Sequence, residues 1–202
     1  MDDIILVGAG GHARACIDVI ELSGQFNIVG LIKKDEINGQ ENLGYPIFGT
    51  DNDLENLRKK YSHALITVGQ IKFPEPRIRL FQRLLELDYH LPVIVSPRAY
   101  VSKHAQIGEG TIVLHDAMVN ANAKIGKNCI INNKVLIEHD AIVGNHCHIA
   151  TGAILNGEVT VGNESFIGSG VVTKQSVSIG RNCVIGAGVV VKMVIESNQI
   201  IK

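Results

Sequence analysis

From Val95 to Val191 every sixth position is aliphatic, with Thr173 the single exception, so sixteen of seventeen registers agree. Four places after each sits a compact or β-branched residue, as at Ala99, Ala105, Ala117, Cys129, Cys147 and Ala153. Neither a 3.6-residue helix nor an alternating strand has this period. The pattern predicts a prism of short parallel strands in which each six-residue stretch forms one flat side. The aliphatic residue fills the interior, and the small residue sits where space narrows. Glycine and asparagine turn the corners, as in Gly126-Lys127-Asn128. Three sides close one coil, and coils stack at strand spacing, about 4.8 Å. Residues eighteen apart therefore share a column.

The first ninety-odd residues follow a different rule. Ile4 to Gly8 reads as a strand, Gly11 to Leu22 as a helix, and Ile28 to Ile32 as a strand. Asp51 to Tyr61 reads as a helix capped by Asp51, Ala64 to Gly69 as a strand, and Glu75 to Leu87 as a helix. This alternation predicts a small Rossmann-like α/β domain with a parallel sheet over residues 1–94, and Pro92 and Pro97 bracket its passage into the prism of residues 95–202. No low-complexity linker separates the halves, so they are expected to pack together.

Composition narrows the function classes. The interior is left to Ile, Val, Leu and Ala, because the chain has no Trp and few other aromatics. Twenty-one glycines fit a fold made of tight turns. A net charge of -1 lacks the basic footprint of a nucleic-acid binder. No apolar run approaches a membrane span, and Met1-Asp2-Asp3 leads into Ile4 without a positive targeting segment. A cytoplasmic protein without a membrane partner is expected. The four cysteines form no C-x-x-C pair. Cys129, Cys147 and Cys183 fall in one column and are read as core, and no metal site is expected.

Gly8-Ala9-Gly10-Gly11-His12-Ala13 follows the first strand and opens the first helix, fitting G-x-G-x-x-A, a turn that brings backbone amides to a phosphate. A dinucleotide reader would carry an acidic residue at the end of the second strand; here stand Lys33 and Lys34, which suit the pyrophosphate of a nucleotide diphosphate. Gly69 ends the third strand at the same sheet edge and permits close approach of a base or ribose. In the repeat half, Ile131-Asn132-Asn133-Lys134-Val135-Leu136-Ile137-Glu138-His139-Asp140 puts His139 and Asp140 on a corner, projecting outward as a base with a carboxylate neighbour. Gly157 lies one coil above, with an exposed amide able to donate to an oxyanion. His148, half a coil after His139, is read as pointing to an edge.

A GAGGHA turn followed by a β-helix carrying IEHD and then HCHIATGA resembles the hexapeptide-repeat sugar acetyltransferases, of the bacillosamine-type nucleotide-sugar N-acetyltransferase and sialic-acid-cluster O-acetyltransferase groups. The resemblance spans nearly the whole chain and implies a left-handed parallel β-helix. It implies acetyl transfer from acetyl-CoA to a nucleotide-linked amino sugar in bacterial surface-glycan biosynthesis, by a homotrimer with active sites between adjacent β-helices. O-acetylation of a sialic-acid-like sugar is the alternative. It implies that His139 is the base and Asp140 its tuning acid, with Glu138 as a substitute. Asn132 then lies near the acceptor, and His148 and Gly157 contact the cofactor. Its pantetheine arm follows Thr151, Ser169 and Ala187, while Gly10, Gly11, His12 and Gly69 serve the nucleotide sugar. Two departures stand out. Lys33 and Lys34 replace residues commonly acidic in the family, and Val191-Lys192-Met193-Val194-Ile195 lacks the usual closing G-x-P-A-K. A carbonic-anhydrase-type metal enzyme is disfavoured because His115 and His139 fall on different corners. A non-catalytic trimeric scaffold is the remaining reading.

Overall fold

The computed structural model describes residues 1–34 and 41–202. The chain begins with β1 (Asp2–Val7), α1 (Gly11–Ser23) and β2 (Phe26–Lys33), followed by β3 (Glu41–Asn42) and β4 (Tyr45–Thr50). A 3-10 turn at Asp51–Asp53 leads into α2 (Leu54–Arg58), and β5 (His63–Ile66) and α3 (Glu75–Glu86) complete the unit. The sheet order is β3-β4-β2-β1-β5, parallel except for the short β3–β4 pairing. β1 is an interior strand between β2 and β5, and its Ile4, Ile5 and Leu6 are fully buried, as expected of a strand covered on both faces. Gly24 ends α1 in the left-handed region (φ 61°) and donates its N–H to Ile20 O at 3.1 Å.

Three boundaries differ from the sequence expectation. Residues 45–50 form a strand that was not expected, because Pro46 and Gly49 interrupt its apolar run. The predicted helix start at Asp51 is instead a 3-10 turn capped by Thr50, whose N–H donates to Asp53 Oδ2 at 2.7 Å in a capping box, and α2 begins only at Leu54. The third strand stops at Ile66 instead of Gly69. Beyond Ile66 the chain turns toward the repeat half, where the Gln70 side chain donates to His146 O at 2.9 Å.

The repeat half is a left-handed parallel β-helix. Two-residue strands run from Ile94–Val95 to Ile200–Ile201 in three sheets. Stacked strands pair eighteen residues apart, as Leu136 with Ile154. In the last coil the offset falls to sixteen, Val184 pairing with Ile200. The second residue of each strand points inward, and Val119, Ile137, Leu155 and Ile167 have no exposed surface. Full burial of each such side chain contributes about 1.5–3 kcal/mol. Thr173, the break in the aliphatic series, is buried with its hydroxyl satisfied: Oγ1 accepts Asn156 N–H at 3.0 Å.

We number the sides from the strand at Ile94: first, second (Tyr100) and third (Gln106), with each corner named for the side it follows. The third corner is the tightest. A Cβ on Gly162 would lie 2.5 Å from Arg181 N and 2.6 Å from Gly180 C, both backbone atoms of the next coil. Beneath that corner runs a column of small donors. Thr111 Oγ1 bonds Gly126 O (2.8 Å), Cys129 Sγ bonds Gly144 O (3.1 Å), and Cys147 Sγ bonds Gly162 O (3.2 Å). Ser165 Oγ bonds Gly180 O (2.9 Å) and Cys183 Sγ bonds Glu196 O (3.1 Å). The cysteines thus pack and donate to corner carbonyls.

The α/β unit docks on the first side. The outward residues Ile94, Ile112 and Ile130 share a core cluster with Cys16, Ile17 and Ile20 of α1. Replacing Gly162 with alanine forces backbone apart. Urea denaturation is expected to show a loss of about 2 kcal/mol or more, whereas Gly10→Ala, with open space above it, is expected to lose well under half of that.

Candidate active site

Gly8 holds φ +122°, and a Cβ there would lie 2.6 Å from Val68 N. Only glycine lets the ends of β1 and β5 approach this closely. Gly10 and Gly11, at the N-terminus of α1, face open space. The turn is braced from a position sequence reasoning missed. Asn42, buried on β3, donates to Ala9 O at 3.0 Å, and Arg14 Nε donates to its Oδ1 at 3.0 Å.

Where α1 meets the first corner of the β-helix, His12, Ala15, Gly69, Gln70, Ile71, Asn132 and His148 line a cavity of about 430 Å³. The structure therefore brings together four predicted residues from both halves. The expected placement of His148 is corrected. It is the first residue of the strand His148–Ile149, buried beneath the Gln70 loop instead of pointing to an edge. Its Nδ1 donates to Gln70 O, and its ring packs on Phe166 with centroids 5.2 Å apart. Asn132 Nδ2 lies 3.2 Å from His148 Nε2. Burial pushes His148 down to about 4 and His12 down to about 3, with the Arg77 cation adding to both shifts. Both imidazoles are neutral at physiological pH. Cys16, 3.5 Å from His12 Nε2, is pushed up to about 12 by burial and remains a thiol.

Lys34 lies farther along the sheet edge. With Gly8, Val68, Asp51, Pro76, Arg79 and Leu80 it lines a smaller cavity of about 130 Å³. Lys33 is half-buried at the end of β2.

His139 and Asp140 occupy the second corner, a full side of the prism away from Asn132 and the cavity. Within one chain the structure does not bring them together with His148. His139 is exposed, its Nδ1 2.7 Å from Asp140 Oδ2. That hydrogen bond raises the imidazole above its usual value, with Asp140, Glu138 and Glu158 charges adding to it. Asp140 is lowered by hydrogen bonds from Asn122 and then His139. Asp140, not Glu138, orients the ring; Glu138 Oε2 accepts Asn120 Nδ2 at 2.8 Å. Gly157, one coil above, packs against the imidazole, and a Cβ there would be 2.9 Å from both Cε1 and Nε2. Its burial corrects the expected exposed amide. On the first corner Thr151, Ser169 and Ala187 are exposed, with the Thr151 and Ser169 carbonyls already occupied by Gly170 and Gly188 N–H.

Two further residues were not singled out by sequence. Arg77, 1% exposed, sends Nη1 to Val68 O (2.6 Å) and Ile66 O (3.0 Å), and Nη2 to Asn128 Oδ1 (2.7 Å) and Asn128 O (3.2 Å). Burial lowers it to about 10, so it stays cationic. Asn128 Nδ2 lies 3.0 Å from His146 Nδ1. Their contacts are set by tertiary docking, which leaves no local signal. Among the described residues no helix is long and apolar enough to cross a membrane.

The PglD N-terminal domain model matches residues 3–84. The bacterial transferase hexapeptide model matches residues 104–139 and 122–157, and the hexapeptide repeat of succinyl-transferase matches 158–192. Among solved structures, PerB from Caulobacter crescentus in complex with CoA and GDP-perosamine is 28% identical, covering 99% of this chain and 93% of its own (TM-score 0.92). The acetyltransferase domain of PglB from Neisseria gonorrhoeae, in complex with acetyl coenzyme A, is 27% identical, covering 98% and 94% (TM-score 0.90). WeeI from Acinetobacter baumannii, 21% identical over 100% and 97%, shares the fold (TM-score 0.87). No curated protein matches the sequence.

Buried neutral histidines make stability pH-dependent. Folded values near 3 and 4 lie below the unfolded 6.5, so the native state binds fewer protons than the unfolded chain between these limits. Stability is full above about pH 6.5 and falls as pH drops toward about 4. His148 alone accounts for roughly 3 kcal/mol at about 1.4 kcal/mol per pKa unit. Urea midpoints of wild type and His148→Gln across this range are expected to show a shallower loss in the variant.

Proposed function

From a chain that belongs to the hexapeptide-repeat sugar acetyltransferases, as its PglD-type N-terminal domain and transferase hexapeptides establish, we propose an N-acetyltransferase that moves acetyl from acetyl-CoA to the amino group of a nucleotide-linked sugar in bacterial surface-glycan biosynthesis. The observation that carries this reading is the shared cavity. A glycine turn at a helix N-terminus, suited to phosphate, opens beside Asn132 and His148 of the β-helix. The nucleotide lies along the sheet edge, with its pyrophosphate at Gly10 and Gly11 and with Lys33 and Lys34 offsetting its charge. His12 and Gly69 flank the sugar. The GDP-perosamine in the Caulobacter enzyme supports a nucleotide-linked amino sugar as acceptor.

The base is His139. Its Nδ1–H is donated to Asp140, which leaves Nε2 free to take a proton. The amine attacks the thioester carbonyl, the N–C bond forms, and the C–S bond breaks to release CoA thiolate, which is then protonated. His139 removes the proton the nitrogen loses. Gly157, one coil above, packs against the imidazole, and its missing side chain leaves the ring its place. Because His139 and the cavity stand on different corners, one side apart, the reading requires a homotrimer in which a neighbour brings its His139 to the cavity. The second side supports this, with Tyr100, Met118 and Val190 exposed along one apolar stripe. The pantetheine arm follows the exposed first corner at Ser169 and Ala187 between the two β-helices. The protein works in the cytoplasm, where acetyl-CoA is available, and the domain boundary falls at residues 94 and 95.

Thiol release from acetyl-CoA against UDP-, GDP- and CMP-linked amino sugars, beside their hydroxyl counterparts, tests the reading. Turnover of an amino-sugar nucleotide is expected; turnover confined to hydroxyl acceptors or free sugars overturns it. His139→Ala is expected to lower kcat by about a hundredfold or more. A base must be neutral to act, so kcat/KM falls as pH drops through the raised His139 pKa. In Asp140→Asn that acid limb is expected to move to lower pH. Gly157→Ala, which displaces the imidazole, is expected to reduce kcat more than it alters either KM.

A further inference from the structure

The hydrogen bonds around His148 have a fixed direction. Gln70 O is a carbonyl and can only accept, so His148 Nδ1 carries the proton. Asn132 Oδ1 accepts the Asn133 N–H at 2.7 Å, which turns Asn132 Nδ2 toward His148 Nε2 at 3.2 Å. The chain of donors therefore runs from Asn133 through Asn132 to His148 and on to Gln70. Nε2 holds a lone pair on the cavity side.

The Gln70 carbonyl is held by contacts that cross the two halves of the molecule. Arg77 grips Val68 O at 2.6 Å and Asn128 Oδ1 at 2.7 Å, tying the end of β5 to the third corner of the β-helix. The Gln70 side chain donates to His146 O at 2.9 Å, and His146 Nδ1 lies 3.0 Å from Asn128 Nδ2. The loop from Val68 to Gln70 is thus pinned at both ends. Two buried atoms, Gln70 Oε1 and Arg77 Nε, have no hydrogen-bond partner among the described residues. Leaving each unpaired costs free energy, so this arrangement is not the one that hydrogen bonding alone would select.

We propose that Gln70 and Arg77 are positioning residues that lock His148 as the neutral Nδ1–H tautomer, so that in the active site His148 accepts a hydrogen bond and never donates one. Resting on the acetyl-transfer reading, this fixes which substrate group His148 takes. An N–H donor, such as the acceptor amine, can replace Asn132 at Nε2. The acetyl carbonyl, an acceptor only, cannot, and neither can the oxyanion it becomes. Oxyanion stabilisation then falls to backbone N–H groups. Nε2 orients the amine lone pair toward the thioester, while a different imidazole, His139, takes the proton.

Long-range proton–nitrogen correlation spectra of the full-length protein labelled with 15N-histidine test this, with His148 assigned by its loss in His148→Gln. At about pH 7 the expected pattern is a protonated Nδ1 and a bare, imine-type Nε2. A protonated Nε2, or averaging between tautomers, would falsify the proposal. In Gln70→Leu the pattern is expected to move toward averaging, with kcat down about tenfold or more and KM for acetyl-CoA within about twofold. Retention of the wild-type pattern in that variant overturns the positioning role. Should Gln70→Leu fail to fold by circular dichroism, Gln70→Met and Arg77→Lys remove the same grip with smaller changes of shape. The spectra are recorded without substrates, so they decide the tautomer whether or not any amino-sugar nucleotide turns over.

Discussion

A guanidinium enclosed by carbonyls holds the two halves of this protein in register. Arg77 reaches the last carbonyls of the α/β sheet with one nitrogen and Asn128 with the other. Among the described residues its hydrogen-bond partners are carbonyl and amide oxygens, so neutral dipoles do the solvating. Such a cation tolerates burial only when its geometry is closely satisfied, and that requirement fixes the distance between the sheet edge and the third corner. The cavity lies at the other edge of the first side, where α1 meets the first corner beside the Gln70 loop.

The two halves contribute differently to the site. The β-helix supplies rigid, repeated positions: a side chain at a given corner is set by stacked coils above and below. The α/β unit supplies a turn at the α1 N-terminus where Gly10 and Gly11 face open space. Neutral imidazoles line the enclosed part, and a carboxylate-paired imidazole stands in solvent on another corner. One sequence thus makes two kinds of histidine, the enclosed ones lowered by burial and the exposed one raised by its hydrogen bond to Asp140. The enclosed ones stay neutral at physiological pH, and the exposed one is held more readily in its protonated form.

Legibility in the sequence followed the range of the interactions. The six-residue period revealed the prism, its inward residues and its corners, since each coil repeats the same local packing problem. The glycine turn was equally legible because one strand and one helix define it. Strand β4 was hidden by Pro46 and Gly49, and the true cap at Thr50 lay one residue before the expected Asp51. His148 was misplaced because whether an outward side chain on the first side meets solvent or another domain depends on docking, and the period carries no record of that. Gln70, Arg77 and Asn128 were missed for the same reason: their partners lie between 9 and 78 residues away.

The column of thiols and hydroxyls under the third corner has a consequence for how the solenoid opens. A stacked array can loosen coil by coil from its end. Cys183 lies in the outermost full coil, Cys147 two coils deeper and Cys129 three, and all are fully buried. Each becomes accessible to an alkylating reagent only when its own carbonyl partner lets go. The order in which the three thiols react therefore measures how many coils have frayed, and the protein carries a ruler of its own partial unfolding.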